Sequence, residues 1–115
     1  MDITMQPGKL SGAVNAPPSK SMAHRMLICA AFADKPTAII CTESNFDIKA
    51  TAEALHQICH AVARTDYGYE ICPYQYGTNP EPSTVYIRCR ESGSTLRFLL
   101  PIVGALGIET VFDME

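Results

Sequence analysis

The chain has no surplus of positive charge: 9 lysines and arginines stand against 12 acidic residues, a net charge of −3. That balance offers no general attraction to nucleic acid or to an acidic membrane, so any anion site has to be local. Long apolar runs are also missing. The longest, Phe98 to Ile108, is too short and too interrupted by proline and glycine to span a bilayer. The start, Met1-Asp2-Ile3-Thr4, lacks the basic and apolar regions of a secretory signal, and a cytoplasmic location is the expectation. No Cys-x-x-Cys pair occurs. The five cysteines, Cys29, Cys41, Cys59, Cys72 and Cys89, form an odd, widely spaced set. Neither a zinc ribbon nor a disulfide framework is indicated, and free, mostly buried thiols in a reducing compartment are expected.

What is present is an ordinary globular composition, 47% apolar and 18% charged. A chain of 115 residues is one domain or less; at this size folding buries roughly 65% of the unfolded surface, enough for a modest core. Lys9 to Ala16 alternates small and apolar residues and reads as a short strand. Ser19 to Ala33 reads as a helix that ends before Asp34-Lys35-Pro36, and Thr37 to Thr42 as a strand. Apolar positions at Ile48, Ala52, Leu55, Ile58, Cys59 and Val62 make a helical stripe from Phe46 to Ala63, with Asp47 in its first turn. Tyr67 to Gln75 and Thr84 to Arg90 read as two strands paired in a hairpin around the turn-rich segment Tyr76 to Pro82. A third helix runs from Gly93 toward Leu106, where Pro101 is expected to kink or divide it, and Glu109 to Asp113 closes as a strand.

The chemistry concentrates at two helix starts. Residues 18–25, Pro-Ser-Lys-Ser-Met-Ala-His-Arg, put a lysine, two hydroxyls and an arginine into the first turns of the first helix. Pro17 and Pro18 stiffen the approach, so free N–H groups and the positive end of the helix dipole meet near Ser19 to Ser21. Ser21 and Arg25, four apart, share a face. The third helix opens alike, on Ser92-Gly93-Ser94-Thr95-Leu96-Arg97. Hydroxyl residues at helix starts are also the ordinary capping solution; the repetition, together with Lys20, points to an oxyanionic ligand.

The run LSGAVNAPPSKSMAHR at residues 10–25, then Asp47, Ala50 and Thr51, then ESGSTLR at residues 91–97, closely resembles the amino-terminal part of the 5-enolpyruvylshikimate-3-phosphate synthase family. The resemblance spans nearly the whole chain and is weakest from Tyr67 to Thr84. Two departures leave the functional side chains in place: Pro18, where many members have glycine, and Glu91-Ser92, where many have Asn-Ala. The resemblance implies an inside-out α/β fold, with one βαβαββ unit over residues 19–90, the start of a second over 91–115, and an opening strand and linker over 1–18. It implies transfer of the enolpyruvyl group of phosphoenolpyruvate to the 5-hydroxyl of shikimate 3-phosphate, in the shikimate pathway of aromatic amino acid biosynthesis, with no metal or organic cofactor. By position, Lys20 would touch both substrates, Ser21 and Arg25 the shikimate moiety, and Gly93 would line the phosphoenolpyruvate pocket. Arg97 and Asp47 are weaker candidates: Arg97 would either reach the anion or brace its helix, the brace being favoured, and Asp47 resembles a residue near the shikimate pocket but reads equally well as a plain first-turn charge. Family members are several times longer, so the chain reads as a leading fragment, inactive alone. No catalytic acid or base is assigned within it, and self-association is expected.

Other patterns have simpler readings. His56 and His60 flank Cys59 on a helix but lack a third metal ligand, and a solvated face is the better reading. His24 lies about 100 degrees around the helix from Arg25, which favours packing or solvation over catalysis. Tyr67, Tyr69, Tyr74, Tyr76 and Tyr86 suggest an aromatic hairpin, without the basic residues of a nucleic-acid platform. Within the fold, the nearest rival is a UDP-N-acetylglucosamine enolpyruvyl transferase, which typically has asparagine where this chain has Ser21. From another class, a stand-alone anion-binding or interaction module would keep the fold unit without catalysis.

Overall fold

The computed structural model of the chain describes residues 2–60, 62–77 and 84–114. Helix α1 spans Lys20–Ala31, strand β1 Thr37–Ile40, helix α2 Phe46–Cys59, and strands β2 and β3 Val62–Thr65 and Gly68–Ile71. Strand β4 follows at Val85–Arg88, helix α3 at Gly93–Leu106 and strand β5 at Thr110–Asp113.

Each helix starts where its capping residue dictates. The Ser19 hydroxyl accepts from the Met22 amide at 3.3 Å, and the Asn45 side chain accepts from the Ile48 amide at 2.9 Å. Ser92 accepts from the Thr95 amide at 3.3 Å. Each thereby satisfies one of the amides that a first turn leaves unpaired. Helix α2 buries Ile48, Ala50, Thr51, Ala52, Ala54, Leu55 and Ile58, and packs against α1, α3, β2 and β4. It is the centre of the molecule. Leu27 of α1, Ile71 of β3, Ile87 of β4 and Leu99 of α3 are as fully enclosed as Ile48 and Leu55.

Strands β1, β3 and β2, in that order, form an antiparallel sheet, while β4 and β5 pair in parallel. Gly68 is required where it stands. Its φ is +150°, and a Cβ there would lie 2.0 Å from the Ile39 carbonyl oxygen of the neighbouring strand.

Four expectations from sequence are corrected. Residues 9–16 form no strand, because no other strand among the described residues lies beside them to complete their hydrogen bonds. The α2 stripe does not continue to Ala63: His60 takes a left-handed conformation at φ 57° and ends the helix, and Val62–Thr65 turns into β2. The hairpin is β2–β3 rather than a pair flanking Tyr76 to Pro82, since β3 lies between β1 and β2 while β4 joins β5. Residues 78–83 of that connection lie outside the described residues. Of the kink or division expected at Pro101, division does not occur: α3 runs unbroken to a left-handed Gly107. The proline sits on the exposed side, where water can serve the carbonyl it leaves free.

All five cysteines are free, but they are less enclosed than expected: Cys41 and Cys89 are buried, Cys59 is half-buried, and Cys29 and Cys72 are exposed. Burial pushes the Cys59 thiol up to about 11, which makes it a poor nucleophile. No helix among the described residues is long and apolar enough to cross a membrane.

Candidate functional site

The starts of α1 and α2 are joined by charge. Lys20, the first residue of α1, places its ammonium 2.5 Å from the carboxylate of Asp47 in the first turn of α2. Ser92, at the head of α3, lines the same cleft as Asp47 and helps to stabilise its carboxylate. Lys20 above all, with help from Ser92 and His24 and against some desolvation, holds the Asp47 carboxyl below the usual carboxylate range. The pair stays reachable, with side-chain exposures of 46% and 26%. Beside it a cleft of about 460 Å³ is lined by Asn45, Phe46, Asp47, Arg90, Glu91 and Ser92.

Arg25 belongs to a neighbouring arrangement one turn further along α1. Its guanidinium donates to the Ser21 hydroxyl and, at 3.3 Å, to the Ser21 carbonyl, and lies 5.7 Å from the ring centre of Phe98 on α3. The predicted Ser21–Arg25 contact is present, and the Phe98 ring holds the fork by a cation–π interaction. Arg97 is exposed and makes no hydrogen bond, ion pair or ring contact to another described residue, so the bracing contact expected of it is absent among them. A Cβ on Gly93 would meet nothing within 4 Å. The fold itself therefore does not demand glycine there.

Behind these groups runs a buried polar chain. His24, 1% exposed, has Nδ1 2.7 Å from the Thr51 hydroxyl of α2. Thr51 is 2.8 Å from the Thr95 hydroxyl of α3, which donates to Ser92 at 2.8 Å. Burial, and next the nearby Lys20 charge, hold His24 below its ordinary pKa, with Asp47 opposing. Its Nε2 has no hydrogen-bond partner among the described residues. Of the two readings open for this histidine, packing or solvation, the structure gives packing.

Comparison with known proteins decides the family. The sequence profile described as EPSP synthase (3-phosphoshikimate 1-carboxyvinyltransferase) matches residues 4–113. The chain belongs to the EPSP synthase family. Among curated relatives it is similar to the 3-phosphoshikimate 1-carboxyvinyltransferase of Clostridium beijerinckii, 41% identical over 105 residues, which covers 88% of this chain and 24% of the relative. The corresponding protein of Clostridium kluyveri is 36% identical over 113 residues, 98% of this chain and 26% of the relative. That of Clostridium botulinum is 42% identical over 102 residues, 84% and 23%. The chain spans about a quarter of the length of these relatives.

In this EPSP synthase family chain the structure brings Lys20 to Asp47, and Ser21 to Arg25, and leaves Gly93 open beside Ser92. Sequence reasoning overlooked Ser92, Thr51 and Thr95 as members of one network. The spacing held a signal for them. Thr95 sits three residues after its own cap, so its hydroxyl shares a face with Ser92, and Thr51 follows Asp47 by one helical turn on the same face of α2.

Proposed function

We propose that this chain supplies the part of a 3-phosphoshikimate 1-carboxyvinyltransferase that grips the two anionic substrates. The reaction moves the enolpyruvyl group of phosphoenolpyruvate onto the 5-hydroxyl of shikimate 3-phosphate, by addition and then elimination of phosphate. Both reactants carry phosphate and carboxylate, so the site has to present cations and preorganised donors where charge gathers. Lys20, a compact and mobile charge, would stand between the two substrates, with Asp47 keeping it extended until they arrive. Ser21 and Arg25, already joined, would hold the shikimate moiety, the fork matching an oxyanion in bidentate fashion. Gly93 would let phosphoenolpyruvate approach the amides at the head of α3, in keeping with the open space around it. Arg97, exposed and without a partner among the described residues, would serve as a further cation for the anion.

The observation that carries the reading is the Lys20–Asp47 pair at the junction of three helix starts. The wider assignment extends from it. The chain would form one unit of the inside-out α/β fold over residues 19–90 and open the next over 91–115. Acid–base groups would come from other parts of the enzyme, the isolated chain would not turn over, and the protein would work in the cytoplasm. Apolar faces left open would favour self-association. Titration calorimetry with shikimate 3-phosphate tests the grip. Lys20→Ala and Arg25→Ala should each weaken binding about tenfold or more, since a hydrogen bond to a charged group contributes about 1.5–3 kcal/mol. Equal affinity in all three proteins would overturn the assignment.

A further inference from the structure

The buried hydroxyls behind the site have a direction. The Ser92 oxygen accepts twice from Thr95, once from its amide at 3.3 Å and once from its hydroxyl at 2.8 Å. The single Thr95 hydroxyl proton is therefore spent on Ser92, and toward Thr51, 2.8 Å away, Thr95 can only accept. Thr51 must then donate to Thr95, which leaves it an acceptor toward His24 Nδ1 at 2.7 Å. A ring nitrogen facing an acceptor has to bear the hydrogen. The opposite nitrogen, Nε2, is buried without a partner among the described residues, as suits a bare lone pair and not a second N–H, which is rarely left unpaired in a protein interior.

We propose that His24 is fixed as the neutral Nδ1–H tautomer at the head of a one-way chain, His24 to Thr51 to Thr95 to Ser92, and is the positioning residue for the start of α3. The chain crosses all three helices, so it sets α1, α2 and α3 relative to one another at the end where Lys20, Asp47 and Gly93 lie. It seats Ser92 in the cleft it shares with Asp47, whose carboxylate holds Lys20. The cations around the ring favour a neutral imidazole, Lys20 on its own helix and Arg25, stacked on the same Phe98 ring that lies 6.1 Å from His24, while Asp47 on α2 opposes them. The importance of this placement to ligand binding rests on the function proposed above; the tautomer and the cap do not.

Long-range nitrogen–proton correlation spectra of the chain labelled at histidine read the tautomer directly. A wild-type His24 protonated at Nδ1 near neutral pH is the expected result, and protonation at Nε2 alone would overturn the proposal. Hydrogen exchange of the Thr95 amide reads the cap. His24→Leu removes the donor and should speed that exchange roughly fivefold or more, whereas His24→Asn, whose side-chain N–H stands near the place of Nδ1, should hold it within about twofold. Exchange that is equally fast in both variants, or unchanged in both, would remove His24 from the positioning role. Neither readout uses a substrate. A wild-type chain that ignores shikimate 3-phosphate would overturn the function proposed above and not this inference.

Discussion

Charging His24 would bury a cation near Lys20 and give Nε2 a hydrogen with no acceptor among the described residues, so the folded chain takes up that proton less readily than the unfolded one. The depressed folded-state pKa fixes the sign of the pH dependence. Above the ordinary histidine value of 6.5 both states are neutral at this residue and its contribution to stability is complete. Below it the unfolded chain binds the proton first, and stability falls toward the lower folded value. Asp47 adds to the loss only further down, below its ordinary 3.8, as protonation dissolves its pairing with Lys20. Thermal unfolding followed between pH 7.5 and pH 5 should therefore show a falling midpoint, and His24→Asn should flatten that slope. A wild-type midpoint that held steady or rose on acidification would contradict the buried, neutral histidine.

At the scale of elements, the caps decide where the site can be. Asn45 fixes the first turn of α2, and that helix carries Asp47 to the cleft and Thr51 to the buried chain. Asn45→Ala should cost about 1 kcal/mol, which lowers the melting midpoint by roughly 4–8 °C in a chain of this size. Asn45→Asp, which keeps the acceptor, should stay near wild type, and equal losses in both would show that the cap is not the cause. All three helices were legible in the sequence, because a hydroxyl or amide cap followed by an apolar stripe is a local signal. The Ser21–Arg25 contact was legible for the same reason, being one turn of one helix. Strand pairing was not. Whether β3 meets β4 or enters between β1 and β2 depends on partners far along the chain, and the end of α2 turns on a single left-handed residue, His60. The His24 chain escaped notice because its links from His24 to Thr51 and from Thr51 to Thr95 cross between helices, and only packing brings those pairs within 2.8 Å.

The whole molecule is long, with extents of 61 × 31 × 21 Å and a radius of gyration of 17.3 Å, against about 13 Å for a compact domain of this length. Part of the excess lies in the leading residues, which form neither helix nor strand and leave Leu10 99% and Val14 94% exposed. The alternation that reads as a strand in sequence is therefore intact but unpaired, with its apolar side chains in water. Met22 and Met26 on the outer face of α1 and Leu100 on α3 add to the uncovered apolar surface. Such a segment, with free backbone groups and exposed apolar side chains, is suited to add to the sheet edge of another copy. Light scattering over a wide concentration range should show a mass that climbs above that of the monomer. Replacing Leu10 and Val14 together by serine leaves the core untouched and should lower that mass at equal concentration. If the unaltered chain stays monomeric at the highest concentration, the exposed leading segment does not drive association; if the double substitution leaves the climb unchanged, the methionine face of α1 becomes the surface to alter.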